Sequence, residues 1–218
     1  MNKIAITANL YKHKPIKPLD IINKLINCFS KHSQPLLGRY GDDRIPFIDD
    51  DGKSIVTLIT SGQVDIWRNH DNLLVATVIA PGILRLQGSD FRYHTHIIRR
   101  QGLSDILYLT HEAAMKIINE NNLASDVMTY QAYIGDHQSY RDIVMVNSST
   151  YSIVCMMLTE LAQHPNHAEM SVEKYILTRT RLARSGVMKI LSDLRYGGFI
   201  EMEKGKLIKL GIPFPKNY

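Results

Sequence analysis

Cysteine is scarce: Cys28 and Cys155 are the only two, and neither has a second Cys or a His at metal-ligand spacing. A disulfide framework or structural zinc is thereby excluded as the source of stability. Both thiols lie among apolar residues at helical spacing, where a buried thiol acts as a small hydrophobe. No apolar run approaches the roughly 18 residues that span a bilayer, and the N-terminal MNKIAITANLYKHKP lacks the apolar centre of a secretory signal. A cytoplasmic protein with no membrane partner is expected. Low-complexity tracts and fixed-period repeats are missing too, which argues against disorder and against a solenoid. Catalytic signatures are equally absent. There is no Gly-rich phosphate loop and no G-x-S-x-G elbow, and His111-Glu112 has no second histidine to complete H-E-x-x-H. Neither an enzyme nor a cofactor is indicated.

Positive charge is present, and it is segregated. The chain carries a formal charge of +5 over 218 residues, enough length for one large or two modest domains. From Ser171 onward ten Lys/Arg face four Asp/Glu, whereas the first 170 residues hold sixteen against seventeen. A basic module set apart in this way suits a polyanion, because each cation placed on a phosphate releases condensed counterions. A solvated face is the plainer reading of the same count.

The hydrophobic period changes along the chain. PLDIINKLINCFSKH, from about Pro18 to His32, sets Ile21, Ile22, Leu25, Ile26 and Phe29 at helical spacing. From Leu36 to about Leu109 come short β-type runs (SIVTLIT, QVDIW, LLVATVIA) divided by SG, RNHDN and PG, as in a small antiparallel sandwich or barrel. THEAAMKIINENN then reads as a helix capped by Thr110. Beyond it Leu123, Val127, Tyr130 and Ile134 follow a coiled-coil-like spacing, compatible with a dimer seam or with packing on the chain's own domain. NSST caps a further helix, YSIVCMMLTELAQH, whose methionine-rich face reads as core.

The last segment carries the function-bearing pattern. Ser171 can cap VEKYILTR, with Glu173 favourable near the positive end of the helix dipole. After a turn through Thr178 to Leu182, a second helix from about Ala183 to Tyr196 puts Val187, Ile190, Leu191 and Leu194 on one inward face. Arg184, Ser185, Met188, Lys189 and Ser192 are left facing outward, the side chains expected to read base edges in a major groove about 12 Å wide. Two short helices joined by a tight turn, with basic outward residues opening the second, form a helix-turn-helix. Gly197 and Gly198 stop it, and FIEMEK and KLIKL alternate about Lys204-Gly205 as a hairpin. Lys204, Lys206 and Lys209 on that wing, together with Thr180 and Arg181 in the turn, are assigned to phosphate. Arg179, Arg181 and Arg195 taken singly fit solvated surface cations equally well.

The stretch Tyr175–Leu210 resembles the winged helix-turn-helix of Crp/Fnr-type bacterial regulators, closest to the enterobacterial IprA (YaiV) branch. R-T-R-x-x-R-S at Arg179–Ser185 and E-M-x-K-G-K-L-I at Glu201–Ile208 carry the likeness. SIVTLITSGQVDIWRNHDNLLVATVIAPG is similar in outline to the strands and turns of that family's β-roll. The resemblance implies an α+β chain: a Crp-like β-roll with flanking helices over 1–120, a connecting dimer helix over 121–146, and a winged helix-turn-helix over 147–218. It implies base-reading places for Arg184, Ser185 and Lys189, and as partners double-stranded DNA and a second copy of the chain, with RNA polymerase a further candidate. Ala183 departs from the family by standing where a capping Ser is common. The sensor departs further. ILRLQGSDFRYHTHIIRRQG has neither the Gly-Glu nor the Arg-Ser pair of cyclic-nucleotide binders, although Arg85, Arg92, Arg99 and Arg100 could meet another anion, and the four cysteines of oxygen sensors are lacking. Any small-molecule effector stays unnamed.

If YHTHI is a strand, His94 and His96 share a face as two metal ligands would. No third ligand is evident, so simply packed or exposed histidines are the alternative and no metal is assigned. The function expected is a homodimeric DNA-binding transcriptional regulator that reads a partly palindromic site. The alternative is a ligand-responsive or protein-interaction module whose winged helix contacts a protein, since fold alone does not fix function.

Overall fold

The computed structural model describes residues 14–36, 43–88, 91–211 and 214–215. All but the last two residues of the N-terminal stretch read above for signal character lie outside them, as does the side chain of Arg92. Two units are formed, one from Ile16 to Asp136 and one containing His137 onward.

In the first unit, helix α1 (Leu19–Ser30) buries Ile22, Leu25, Ile26 and Phe29, the residues its period had placed on one face. Strands β1 (Gln34–Pro35), β2 (Arg44–Ile45), β3 (Ile55–Ile59), β4 (Gln63–Arg68), β5 (Leu73–Ile79), β6 (Gly82–Leu84), β7 (His96–Gln101) and β8 (Ile106–Thr110) follow. They make two antiparallel four-stranded sheets, in the orders β1-β8-β3-β6 and β2-β7-β4-β5. Every residue of β3 is buried. The reason is that its sheet is covered on both faces, so period-2 alternation of polar and apolar residues cannot appear. Ile55 and Ile59 join Val64, Ile98 and Ile106 in one core, while Val56 and Leu58 join Ile22, Phe29 and Leu109 in the other.

A one-turn helix α2 (Phe91–Thr95) precedes β7, and here the structure corrects the reading of YHTHI as a strand. The Thr95 hydroxyl donates to the Phe91 carbonyl at 3.0 Å, closing that turn. His94 therefore lies on a helix and His96 opens a strand, so the shared face that would have paired them is lost. Among the described residues no group of three or more His, Cys, Asp or Glu is placed to hold a metal ion. Arg85 is also committed internally. Its guanidinium lies 4.6 Å from the centre of the Phe47 ring and donates to the Phe47 carbonyl and the Ser54 hydroxyl.

Helix α3 (His111–Glu120) begins as expected, with the Thr110 hydroxyl accepting from the Ala113 N–H at 3.1 Å. The long helix α4 (Ala124–Asn147) follows. The seam of Leu123, Val127, Tyr130 and Ile134 belongs to the core of its own unit: Leu123 and Tyr130 are buried beside α1 and α3, and Val127 and Ile134 pack against the same cluster. Of the two roles open to this seam, Leu123 and Tyr130 fill the one of packing on their own unit, while Val127 and Ile134 stay half-buried. The Tyr130 hydroxyl accepts from the Ile83 N–H at 3.3 Å and donates to the Ile83 carbonyl at 2.5 Å. It thereby satisfies both backbone groups in the middle of the edge strand β6. Burial pushes this phenol well above its ordinary pKa.

In the second unit, Ser149 caps helix α5 (Thr150–Ala162), accepting from the Ser152 N–H at 3.1 Å. Ile153, Val154, Cys155, Met156, Met157, Leu158 and Leu161 are all buried, so the methionine-rich face is core as read. Burial pushes the Cys155 thiol up to about 11, which suits an inert packing residue. No helix among the described residues is long and apolar enough to cross a membrane.

Replacing Tyr130 by Phe would leave the Ile83 amide and carbonyl buried without a partner. A loss of about 1–3 kcal/mol is expected, measured as a lower urea midpoint with an unchanged slope.

Candidate nucleic-acid interface

Helix α6 (Val172–Arg179) starts where Ser171 predicts, the hydroxyl accepting from the Lys174 N–H at 3.3 Å. It ends as Thr180 turns extended. The Thr180 hydroxyl donates to the Ile176 carbonyl at 2.9 Å and accepts from the Leu182 N–H at 3.4 Å, and the residue is only 5% exposed. Its role is to bind the turn to α6, a correction to its assignment as a phosphate contact. Arg181 in the same turn is exposed. Arg179 lies with its guanidinium 3.8 Å from the centre of the Tyr175 ring, where it contributes packing to α6.

Helix α7 (Arg184–Tyr196) buries Val187, Ile190, Leu191 and Leu194 against Val154, Leu158, Leu161 and Ile176. That apolar stripe sets the rotation of the helix. Ser185, Met188, Lys189 and Ser192 are consequently exposed on the opposite side, whereas Arg184, seven residues before Leu191, stands on the flank of the buried stripe and is exposed because it opens the helix. Ala183 at the N-cap provides no side-chain acceptor. At the other end Gly198, with φ of 72°, is the left-handed residue, while Gly197 remains helical. The Phe199 N–H donates to the Leu194 carbonyl and the Gly198 N–H to the Arg195 carbonyl, which is a complete Schellman stop.

Strands β9 (Ile200–Glu203) and β10 (Lys206–Leu210) form the wing. Lys204 and Gly205 at its turn have φ of 49° and 80°, the pair of left-handed residues that a two-residue hairpin of matching twist requires. Leu207 is buried and anchors the hairpin, leaving Lys204, Lys206 and Lys209 exposed. The Val172 N–H donates to the Gly205 carbonyl at 2.9 Å, and Ser171 pairs with Lys206. The wing turn is thus fastened to the first turn of α6.

One contact had no signal in the sequence. Glu173, read there only as a dipole partner, forms an ion pair with Arg184, its Oε1 lying 2.6 Å from Nε. The two residues stand on different helices with a turn between them, so only the crossing of α6 and α7 brings them together.

Residues 150–216 match the family described as winged helix-turn-helix DNA binding. The chain is similar in structure to the c-di-GMP responsive global regulator CLP of Xanthomonas campestris. The TM-score is 0.59 at 16% identity, over 87% of this chain and 99% of that one. It is likewise similar to a CooA mutant from Carboxydothermus hydrogenoformans, with a TM-score of 0.60 at 18% identity over 83% and 84% of the two chains. At such identities the likeness concerns the fold alone. The family match defines the class of this segment, a winged helix-turn-helix over residues 150–216, and the likeness to these structures shows a shared fold. More particularly, the chain is 26% identical to the inhibitor of hydrogen peroxide resistance of Escherichia coli K12, over 89% of this chain and 95% of that protein. Its identity to the Salmonella typhimurium counterpart is 27%, over 89% and 94%.

The uncapped start of α7 allows a gain of stability. With Ala183 already in extended geometry, Ala183→Ser is expected to stabilise the protein by about 0.5–1 kcal/mol, seen as a higher thermal midpoint.

Proposed function

We propose that this protein is a homodimeric transcriptional regulator that reads a partly palindromic DNA site with the outward face of α7 and holds phosphates with its wing. The observation that carries the reading is the sidedness of α7: four aliphatic residues bury one face, Lys189 stands with Ser185, Met188 and Ser192 on the other, and Arg184 is exposed at the opening of the helix. In the major groove Arg184 and Lys189 suit guanine O6 and N7, Ser185 and Ser192 can donate or accept, and Met188 suits a thymine methyl. Arg181, Lys204, Lys206 and Lys209 supply positioning contacts that carry no sequence information. The relatives described as inhibitors of hydrogen peroxide resistance make genes of peroxide defence the first place to look for bound sites.

The β-sandwich unit is proposed not to bind cyclic nucleotide. It lacks the Gly-Glu and Arg-Ser pairs, and Arg85 is spent on Phe47 and Ser54. For the second copy we propose the other face of α4. Ser125, Met128, Ala132 and Gly135 repeat at the same period as the buried seam and are all exposed, with Met128 at 73%. The small residues permit close approach of a partner helix.

Arg184→Ala should weaken binding to a selected site by about 1–3 kcal/mol and relax base preference, whereas Lys206→Ala should weaken all sequences alike and flatten the salt dependence. Titrations at several salt concentrations separate the two effects. Parent-like binding by both variants would remove this reading face, and complex formation that persists at high salt would favour a protein partner instead. Ala132→Arg, tested by sedimentation, should shift a dimer toward monomer and abolish the preference for two half-sites over one; an unchanged dimer excludes this face of α4.

A further inference from the structure

We propose that Glu173 is a positioning residue: it aims the guanidinium of Arg184 so that its two terminal nitrogens, rather than its side, meet the base. The inference rests on the DNA-reading role of α7 argued above.

Arg184 occupies a place that helix energetics disfavour. It is the first residue of α7, where a cation opposes the positive end of the helix dipole, and the cap before it is missing. A local rule broken without gain to folding is the mark of a functional position. Alone, a side chain 74% exposed at such a site would sample many rotamers. Glu173, only 31% exposed on the first turn of α6, narrows that freedom through an ion pair with Nε and Oε1 2.6 Å apart.

The nitrogen nearest the carboxylate decides what remains. Nε is on the side of the guanidinium, and a carboxylate held against it leaves the two terminal nitrogens, whose parallel N–H groups form the fork that matches guanine O6 and N7. The carboxylate also ties two kinds of contact to one element. Glu173 lies next to Val172, whose N–H holds the wing turn at Gly205, and Ser171 pairs with Lys206. The direction of the base-reading group and the place of the phosphate-binding lysines are therefore set by the same turn of α6. A carboxylate near DNA repels phosphate for every sequence equally, so its benefit has to appear in discrimination.

The test uses the full chain and a duplex selected by it from random DNA. The base pair read by Arg184 is located as the one whose exchange matters to the parent and not to Arg184→Ala. At that pair, Glu173→Ala should lose roughly tenfold in discrimination between the selected and exchanged base, with affinity for random DNA within about twofold of the parent. Glu173→Gln, which keeps an acceptor for Nε, should retain most of the discrimination. Thermal midpoints should hardly move, since exposed ion pairs add little stability. Equal tightening on selected and random DNA by Glu173→Ala, or intact discrimination, would show that the carboxylate only repels phosphate and overturn the proposal. If Arg184→Ala itself leaves every base preference intact, the reading face fails, and the positioning role with it.

Discussion

The apolar underside of α7 is the constraint on which the functional reading depends. Val187, Ile190, Leu191 and Leu194 fall at i, i+3, i+4 and i+7, and their burial sets the rotation of the helix about its axis. Each such side chain contributes about 1.5–3 kcal/mol when taken from water, so the four together outweigh any surface ion pair of the module. A rotation of one residue, about 100°, would expose aliphatic surface and drive a cation toward the core. The outward placement of Lys189 is therefore a consequence of packing, and that of Arg184 of its place as the first residue of the helix. The Schellman stop at Gly198 and the turn bound by Thr180 limit the helix at its ends, and the buried Leu207 holds the wing to the same core.

In the first unit the corresponding constraint is a sheet covered on both faces. The continuous run of β3 cannot alternate because α1 and α3 lie on one side of it and the second sheet on the other. The edge strand β6 is satisfied by the Tyr130 hydroxyl, so a helix side chain completes the sheet's hydrogen bonding. That interaction also directs the Leu123 to Ile134 seam of α4 inward. A helix can carry two stripes of identical period, and the larger, more apolar one is drawn to its own core. The small-residue stripe is left outside.

Much of this was legible from residue types and spacing. The α1 face, the Thr110, Ser149 and Ser171 caps, the uncapped Ala183, the inward stripe of α7 and the Lys204-Gly205 hairpin all rest on local rules that act within a few residues, and all are found. The motifs at Arg179–Ser185 and Glu201–Ile208 then led to the Crp/Fnr architecture. Local rules failed where two periods competed or where a polar side chain had a nearer partner. YHTHI has β-forming residues, yet the Thr95 hydroxyl closes a helical turn on Phe91. Thr180 stands among exposed cations, yet its hydroxyl is used within the turn.

The chain by itself determined which residues are apolar at which period, where helices can start and stop, and that positive charge collects in the last quarter, because these follow from side-chain chemistry and backbone geometry over short distances. Tertiary structure alone decided that the Tyr130 hydroxyl meets Ile83, that Glu173 meets Arg184, and that the wing turn is fastened to α6 through Val172 and Gly205. Those contacts join groups with no shared period, and they exist only because packing elsewhere brings their helices and strands side by side.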